Sequence, residues 1–247
     1  MRQEASPFLR RVGRYRRGSI DAFPLYRFTL SGSECVLIEC GIGLERAAEA
    51  TRTLCDRFRP RLLVSFGVAG APNVDLSVGD VVAVQWTCRL ENGALGRANP
   101  LTHWSGAALE AAARALGACG ARLLPGTAVS TRGEADVILP TGGLECPVLD
   151  METAAVAEVA AGHAVPFLSF RAISDTPDDP LPFTIADSLD EANRLRVGRI
   201  IAGIIRHPGR IPRLARLRRN MACATRNLTA AVCAAVEAEI ADLPAAP

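Results

Sequence analysis

Apolar residues fall in short unbroken runs through the middle of the chain, separated by alanine-rich stretches with helical periodicity. Residues 34–40 (ECVLIEC) predict a strand, followed by the turn Gly41-Ile42-Gly43 and a helix over 44–58. Residues 61–66 (RLLVSF) predict a second strand, apolar without alternation, as expected where both faces are covered. Further strands are expected at 78–84, 123–130, 147–151 and 166–173. A helix over 105–115 is capped by Ser105, and another over 152–161 is stopped by Gly162. In the first thirty residues only 25–30 reads as a weak strand. Beyond 184 the pattern is helical, broken at 208–212, and a closing helix is expected over about 222–240. Alternating strands and helices predict an α/β fold, a three-layer sandwich with a mixed, mainly parallel central sheet. Three segments result: a basic, irregular stretch at 1–24, an α/β core at 25–183, and a basic, alanine-rich helical extension of the same domain at 184–247.

Charge and cysteine content narrow the setting. The chain of 247 residues is 49% apolar, enough for one well-buried core. Its 28 basic residues are all arginines, and the formal net charge is only +2. Their placement is uneven: five crowd positions 10–17, and nine fall between Arg194 and Arg219 without an intervening acid. Such blocks suit an anionic surface or a solvated face. Eight cysteines without a C-x-x-C pair read as small buried hydrophobes of a reducing compartment. The N-terminus lacks a signal-peptide core and no segment approaches a membrane span, so a soluble cytoplasmic protein is expected.

Two places suggest chemistry. Gly41 and Gly43 follow a strand and open a helix, where backbone N–H groups can hold an anion, with Arg46 close behind. The full dinucleotide pattern fails, because its third small residue falls at Arg46. A purely structural turn fits the motif equally well. The second place is an acidic pair, Glu152 and Asp175, at the ends of predicted strands joined through a helix. If those strands are parallel, the crossover rule puts both acids at one sheet edge, where open α/β proteins bind ligands. Glu152 also suits a helix N-terminus, and Asp175 an Asx-turn before Pro177. The three histidines, His103, His163 and His207, show no metal-ligand spacing, and neither metal nor cofactor is expected.

With GIG at 41–43, VSFGVAGAPNVDLSVGDVV at 64–82, LDMETAAVAEVA at 149–160 and FRAISD at 170–175, the sequence resembles the nucleoside phosphorylase and nucleosidase superfamily. Its late PDDPLPF and RHPGRIPRLARLRRN segments resemble the hopanoid-associated branch, related to methylthioadenosine/adenosylhomocysteine nucleosidases. The resemblance implies a nucleoside phosphorylase-like fold and cleavage of the bond between adenine and ribose C1′, with adenosylhopane as the expected substrate. It implies that Asp175 serves the purine N7 as an acid and that Glu152 holds the ribose hydroxyls. Met151, Phe170, Ser174, Ser65 and Gly67 are expected around the substrate.

The nucleophile stays open at this point. Inorganic phosphate is a possible co-substrate, with Gly41, Gly43, Arg46 and Arg171 as the candidate anion site, although Val68 departs from the usual phosphate-holding pattern. The hydrolytic relatives carry a water-activating glutamate in a first-strand motif that this N-terminus does not show, and the role is not assigned to Glu4. Alternation also puts Arg171 on the same side of an ideal strand as Asp175, where its charge would oppose protonation of the acid. A small purine nucleoside linked to a lipid, a homo-oligomer, and peripheral membrane contact through Arg194 to Arg219 are the expected partners. Nucleic acid is not expected, because no aromatic ladder accompanies the charge. The competing classes are a methylthioadenosine/adenosylhomocysteine nucleosidase, a non-catalytic lipid-binding relative, and a nucleotide-dependent oxidoreductase.

Overall fold

The computed structural model describes residues 2–73, 75–101, 105–132, 143–179 and 211–242. The chain starts with helix α1 (Arg2–Val12) and a meander of β1 (Tyr15–Ile20), β2 (Phe23–Leu30) and β3 (Ser33–Ile38). The β2–β3 hairpin closes through Ser31 and Gly32, both at positive φ, the pairing that two-residue hairpin turns require. Helix α2 (Leu44–Phe58) leads to β4 (Leu63–Gly70), and then to β5 (Val81–Glu91), β6 (Ala94–Leu95) and β7 (Asn99–Pro100). Helix α3 (Gly106–Gly117), β8 (Leu123–Ser130), β9 (Val148–Asp150), α4 (Thr153–Gly162), β10 (Phe167–Asp175) and α5 (Ile211–Asp242) complete the order.

The main sheet is not the expected layer of a sandwich. Its strands run β10–β4–β9–β8–β5, and β5 pairs again with β10, so five strands close into a barrel. Three pairings are parallel (β10/β4, β9/β8, β8/β5) and two antiparallel (β4/β9, β5/β10), with β6 and β7 added outside β5. In a closed barrel one face of each strand looks inward and the other meets helices. Both faces are then buried, and the resulting apolar runs match those of a two-sided open sheet. Ala69, Val82, Val84, Ala128, Val148 and Ile173, one or more from each strand, form one buried cluster. On one outer side α3 and α5 pack Leu116, Leu228 and Val232 against Leu168 and Phe170. Elsewhere α2 and α4 pack Ala47, Cys55, Val156 and Ala160 against Leu63 and Phe167.

The N-terminal segment also departs from expectation. Ala5, Phe8 and Leu9 are buried and Val12 packs beside them, an i, i+3, i+4, i+7 stripe that makes α1 a packed amphipathic helix. Phe8 lies 5.7 Å from Phe28 and 5.1 Å from Phe66 between ring centroids, joining α1 to both sheets. His103, His207, most of the PDDPLPF segment, and Arg194 through Arg210 lie outside the described residues. Among the described residues no helix is long and apolar enough to cross a membrane.

Candidate active site

Strand β4 organises the site. Gly70 pairs with Asp175 on β10 and with Leu149 on β9, the strand that ends two residues before Glu152. Two strand spacings put Leu149 and Asp175 on the order of 10 Å apart. The expected parallel crossover is absent: β10 runs with β4 and β9 against it. Residues after Leu149 therefore head back along β4 toward Gly67, which pairs with Arg171. Asp175 therefore ends one strand of a mixed barrel and Glu152 follows an oppositely directed one, with no common parallel edge.

Asp175 ends β10. Ser174 Oγ donates to its Oδ1 at 2.6 Å, and its backbone carbonyl accepts from Ala71 N at 2.9 Å. Its Oδ2 lies so close to Gly70 that a Cβ there would stand 2.8 Å from it. Burial pushes the carboxyl above its ordinary range; the Ser174 hydroxyl opposes the shift and Asp179 adds to it. Arg171 plays no part in that balance. A β-bulge between Ile173 and Asp175 breaks the alternation that would have aligned Arg171 with the acid. Arg171 turns instead into the protein, with Nε 2.7 Å from Asp150 Oδ2, Nη1 3.0 Å from the Phe170 carbonyl and Nη2 3.0 Å from Ser65 Oγ.

Glu152 sits at the N-cap of α4, half-buried. Its Oε1 accepts from Gly43 N at 3.1 Å and its Oε2 from Met151 N at 3.3 Å. The glycine turn thus holds an anion, and that anion is the chain's own carboxylate. Burial pushes Glu152 up to about 7, Asp150 adding to the rise, with Arg171 and the Gly43 N–H opposing it and Glu4 contributing further. Cys40, at the head of the turn, is pushed up to about 11 by burial and then by Glu152, so it stays a thiol.

The remaining predicted residues divide. Ser65, Gly67, Met151 and Ser174 line this region, whereas Phe170 is fully buried in the core against Leu168, Ala172 and Leu228. Arg46 is held away from the site: its Nε donates to the Cys40 carbonyl at 3.0 Å and its guanidinium stacks 5.1 Å over Phe23. Gly41, at φ +86°, makes room for that side chain, since a Cβ there would stand 2.8 Å from Arg46 Nε.

One site residue was not expected. Glu4, buried on α1, accepts from Val68 N at 2.9 Å through Oε1, and a Cβ on Gly67 would stand 2.9 Å from the same oxygen. The helix that carries it was hidden under the arginines of positions 10–17, although the stripe of Ala5, Phe8, Leu9 and Val12 was there to read. Glu4 and Asp175 therefore border the Gly67–Gly70 stretch of β4, and Glu152, held on the glycine turn, lies within electrostatic reach of Glu4.

Comparison with known proteins gives this arrangement its family. Residues 1–206 match the model of the phosphorylase superfamily (PNP_UDP_1). The chain belongs to that superfamily. It is an enzyme acting on a nucleoside substrate. It is 30% identical over 191 residues to the 5′-methylthioadenosine/S-adenosylhomocysteine nucleosidase of Colwellia psychrerythraea, covering 69% of this chain and 78% of that protein. The enzyme of the same description from Listeria innocua is 29% identical over 167 residues, 59% of this chain and 70% of the relative. Among solved structures, the Colwellia psychrerythraea nucleosidase in complex with adenine superposes with a TM-score of 0.70 at 18% identity, covering 96% of this chain and 92% of that one. The Neisseria meningitidis nucleosidase in complex with methylthio-immucillin-A gives 0.67 at 22% identity, with 96% and 95% covered. These relatives overturn assignment to the hopanoid-associated branch and adenosylhopane as the substrate. The similarity lies with the methylthioadenosine/adenosylhomocysteine nucleosidases, the reading held as an alternative.

Proposed function

We propose that the enzyme hydrolyses the N-glycosidic bond of 5′-thio-substituted adenosines such as 5′-methylthioadenosine and S-adenosylhomocysteine, releasing adenine. The observation that carries this reading is Glu4 and Asp175 set against one stretch of β4, with Glu152 within electrostatic reach of Glu4 and with Arg171 and Arg46 already engaged. Adenine leaves poorly as an anion, so it needs a proton at N7 as the bond breaks. Asp175 supplies it: burial favours the protonated acid, and Ser174 fixes one oxygen so that the other faces the open side of Gly70. The sugar becomes oxocarbenium-like, and Glu152 accepts hydrogen bonds from its hydroxyls while its negative charge stabilises C1′. Glu4, held by Val68 N, accepts a proton from the attacking water.

Water is favoured over phosphate by the same contacts. Gly43 N is occupied by Glu152, Arg171 is committed to Asp150 and Ser65, and Arg46 faces Phe23. An incoming phosphate would meet Glu4 and Glu152 without a free cation among the described residues near them. Steady-state adenine release from methylthioadenosine by Asp175→Asn and Glu152→Gln tests the roles. Asp175→Asn is expected to lower kcat by about 10²-fold or more with KM nearly unchanged. Glu152→Gln is expected to raise KM as well as lower kcat. Near-normal turnover in Asp175→Asn would remove Asp175 from the acid role.

A further inference from the structure

Asp150 precedes the Met151–Glu152 pair, and its side chain is wholly inaccessible. It accepts from Ser130 Oγ at 2.5 Å on β8, from Thr153 N at 3.1 Å and the Thr153 hydroxyl on α4, from Glu152 N at 3.4 Å, and from Arg171 Nε at 2.7 Å on β10. Arg171 carries the link to Ser65 on β4. One carboxylate thus ties the first turn of α4 to three strands of the barrel. A buried ion pair is weak as a device for stability alone, since an apolar replacement of similar volume often serves as well. Here the bonds from Glu152 N and Thr153 end on the turn from which Glu152 reaches Gly43, and the Ser130 hydroxyl that bonds Asp150 also accepts from Ala154 N in that turn. We propose that Asp150 is a positioning residue for Glu152, fixing through Thr153, Ser130 and Arg171 the turn that presents the Glu152 carboxylate to the sugar. The proposal deepens the nucleosidase reading and takes from it the role of Glu152.

The groups facing Glu152 give the proposal a signature that mere structural support lacks. They are Asp150 from β9, Arg171 from β10, Glu4 from α1, Cys40 from the segment after β3 and the Gly43 N–H at the head of α2. Asp150→Asn leaves Arg171 without its counter-charge, so Glu152 ionises at lower pH. Arg171→Gln leaves Asp150 unopposed, so Glu152 ionises at higher pH. Ser130→Ala removes a hydrogen bond to Asp150 and keeps both charges.

The test is the titration of the Glu152 carboxyl by carbon-13 NMR, assigned through Glu152→Gln, alongside the pH profile of kcat/KM on methylthioadenosine. The expected midpoint moves down by about one unit in Asp150→Asn, up by about one in Arg171→Gln, and stays in Ser130→Ala. One limb of the kcat/KM profile follows it, and kcat/KM of Asp150→Asn falls at least tenfold. An unmoved midpoint in Asp150→Asn, or shifts of the same sign in both charge variants, overturns the proposal. Should Asp150→Asn fail to fold, Thr153→Val, which keeps the shape and both charges, carries the test. It is expected to lower kcat/KM severalfold, and wild-type kinetics overturn the proposal. Failure of the nucleosidase reading looks different: the wild-type enzyme then releases no adenine, while the midpoints can still be compared.

Discussion

Replacing Gly70 by alanine probes the acid without touching its chemistry. Gly70 has no positive φ, so its backbone accepts alanine; the obstacle is the Asp175 carboxylate, whose Oδ2 would lie 2.8 Å from the new Cβ. An ordinary contact begins near 3.4 Å, so the carboxylate must retreat by roughly 0.6 Å. Retreat is resisted, because Ser174 Oγ holds the other oxygen at 2.6 Å. A displacement of about 1 Å at a reacting group can cost about 10²-fold, so Gly70→Ala should lower kcat by roughly 10- to 100-fold. KM should change less than about threefold, and stability should fall by about 1–3 kcal/mol, as overpacking commonly does. Gly162→Ala, where nothing lies within 4 Å of a Cβ, controls for the general effect of removing a glycine. The assay is adenine release at saturating and limiting methylthioadenosine, with denaturant unfolding in parallel. A folded Gly70→Ala enzyme with wild-type kcat would refute the placement of the acid against Gly70.

Other variants probe the remaining carboxylates and the buried pair. Glu152 is pushed up to about 7 when folded against an ordinary 4.5, so the folded state holds its proton more tightly than the unfolded chain. The stability this gives is full below pH 4.5 and is lost as pH rises through about 7. Glu152→Gln should therefore unfold at higher denaturant than wild type at about pH 8, by up to roughly 3 kcal/mol, and the advantage should vanish near about pH 4.5. Glu4→Gln should lower kcat by about 10²-fold or more while substrate binding, followed by calorimetry with a non-hydrolysable analogue, survives. Arg171→Met leaves Asp150 charged and unpaired, with side chains 3% and 0% accessible in the wild type, and should cost about 3–5 kcal/mol in chemical unfolding.

Much of the element order was legible. The apolar period marked α2 and β8 at their observed bounds, and Ser105 caps α3 by accepting from Ala108 N at 3.0 Å. Barrel closure was not legible, since burial of both strand faces leaves the same apolar run in a barrel and in a sandwich. The antiparallel course of β9 was hidden for a related reason: three residues, Val148–Asp150, carry too little pattern to show direction. The inward turn of Arg171 depended on a bulge that no residue type announces. Nor did the motif at Gly41–Gly43 reveal that its anion is Glu152, 109 positions away, because only the fold brings them together. Glu4 was missed for a different reason, as charge density at positions 10–17 drew attention from a four-residue apolar stripe.

The decisive measurement is the fate of the sugar when methylthioadenosine is incubated with the enzyme in oxygen-18 water, with and without inorganic phosphate. Adenine should appear at the same rate in both, with the heavy oxygen at C1 of a free methylthioribose. A requirement for phosphate with methylthioribose 1-phosphate as product, or no adenine at all, would contradict a hydrolytic site built from Glu4, Glu152 and Asp175.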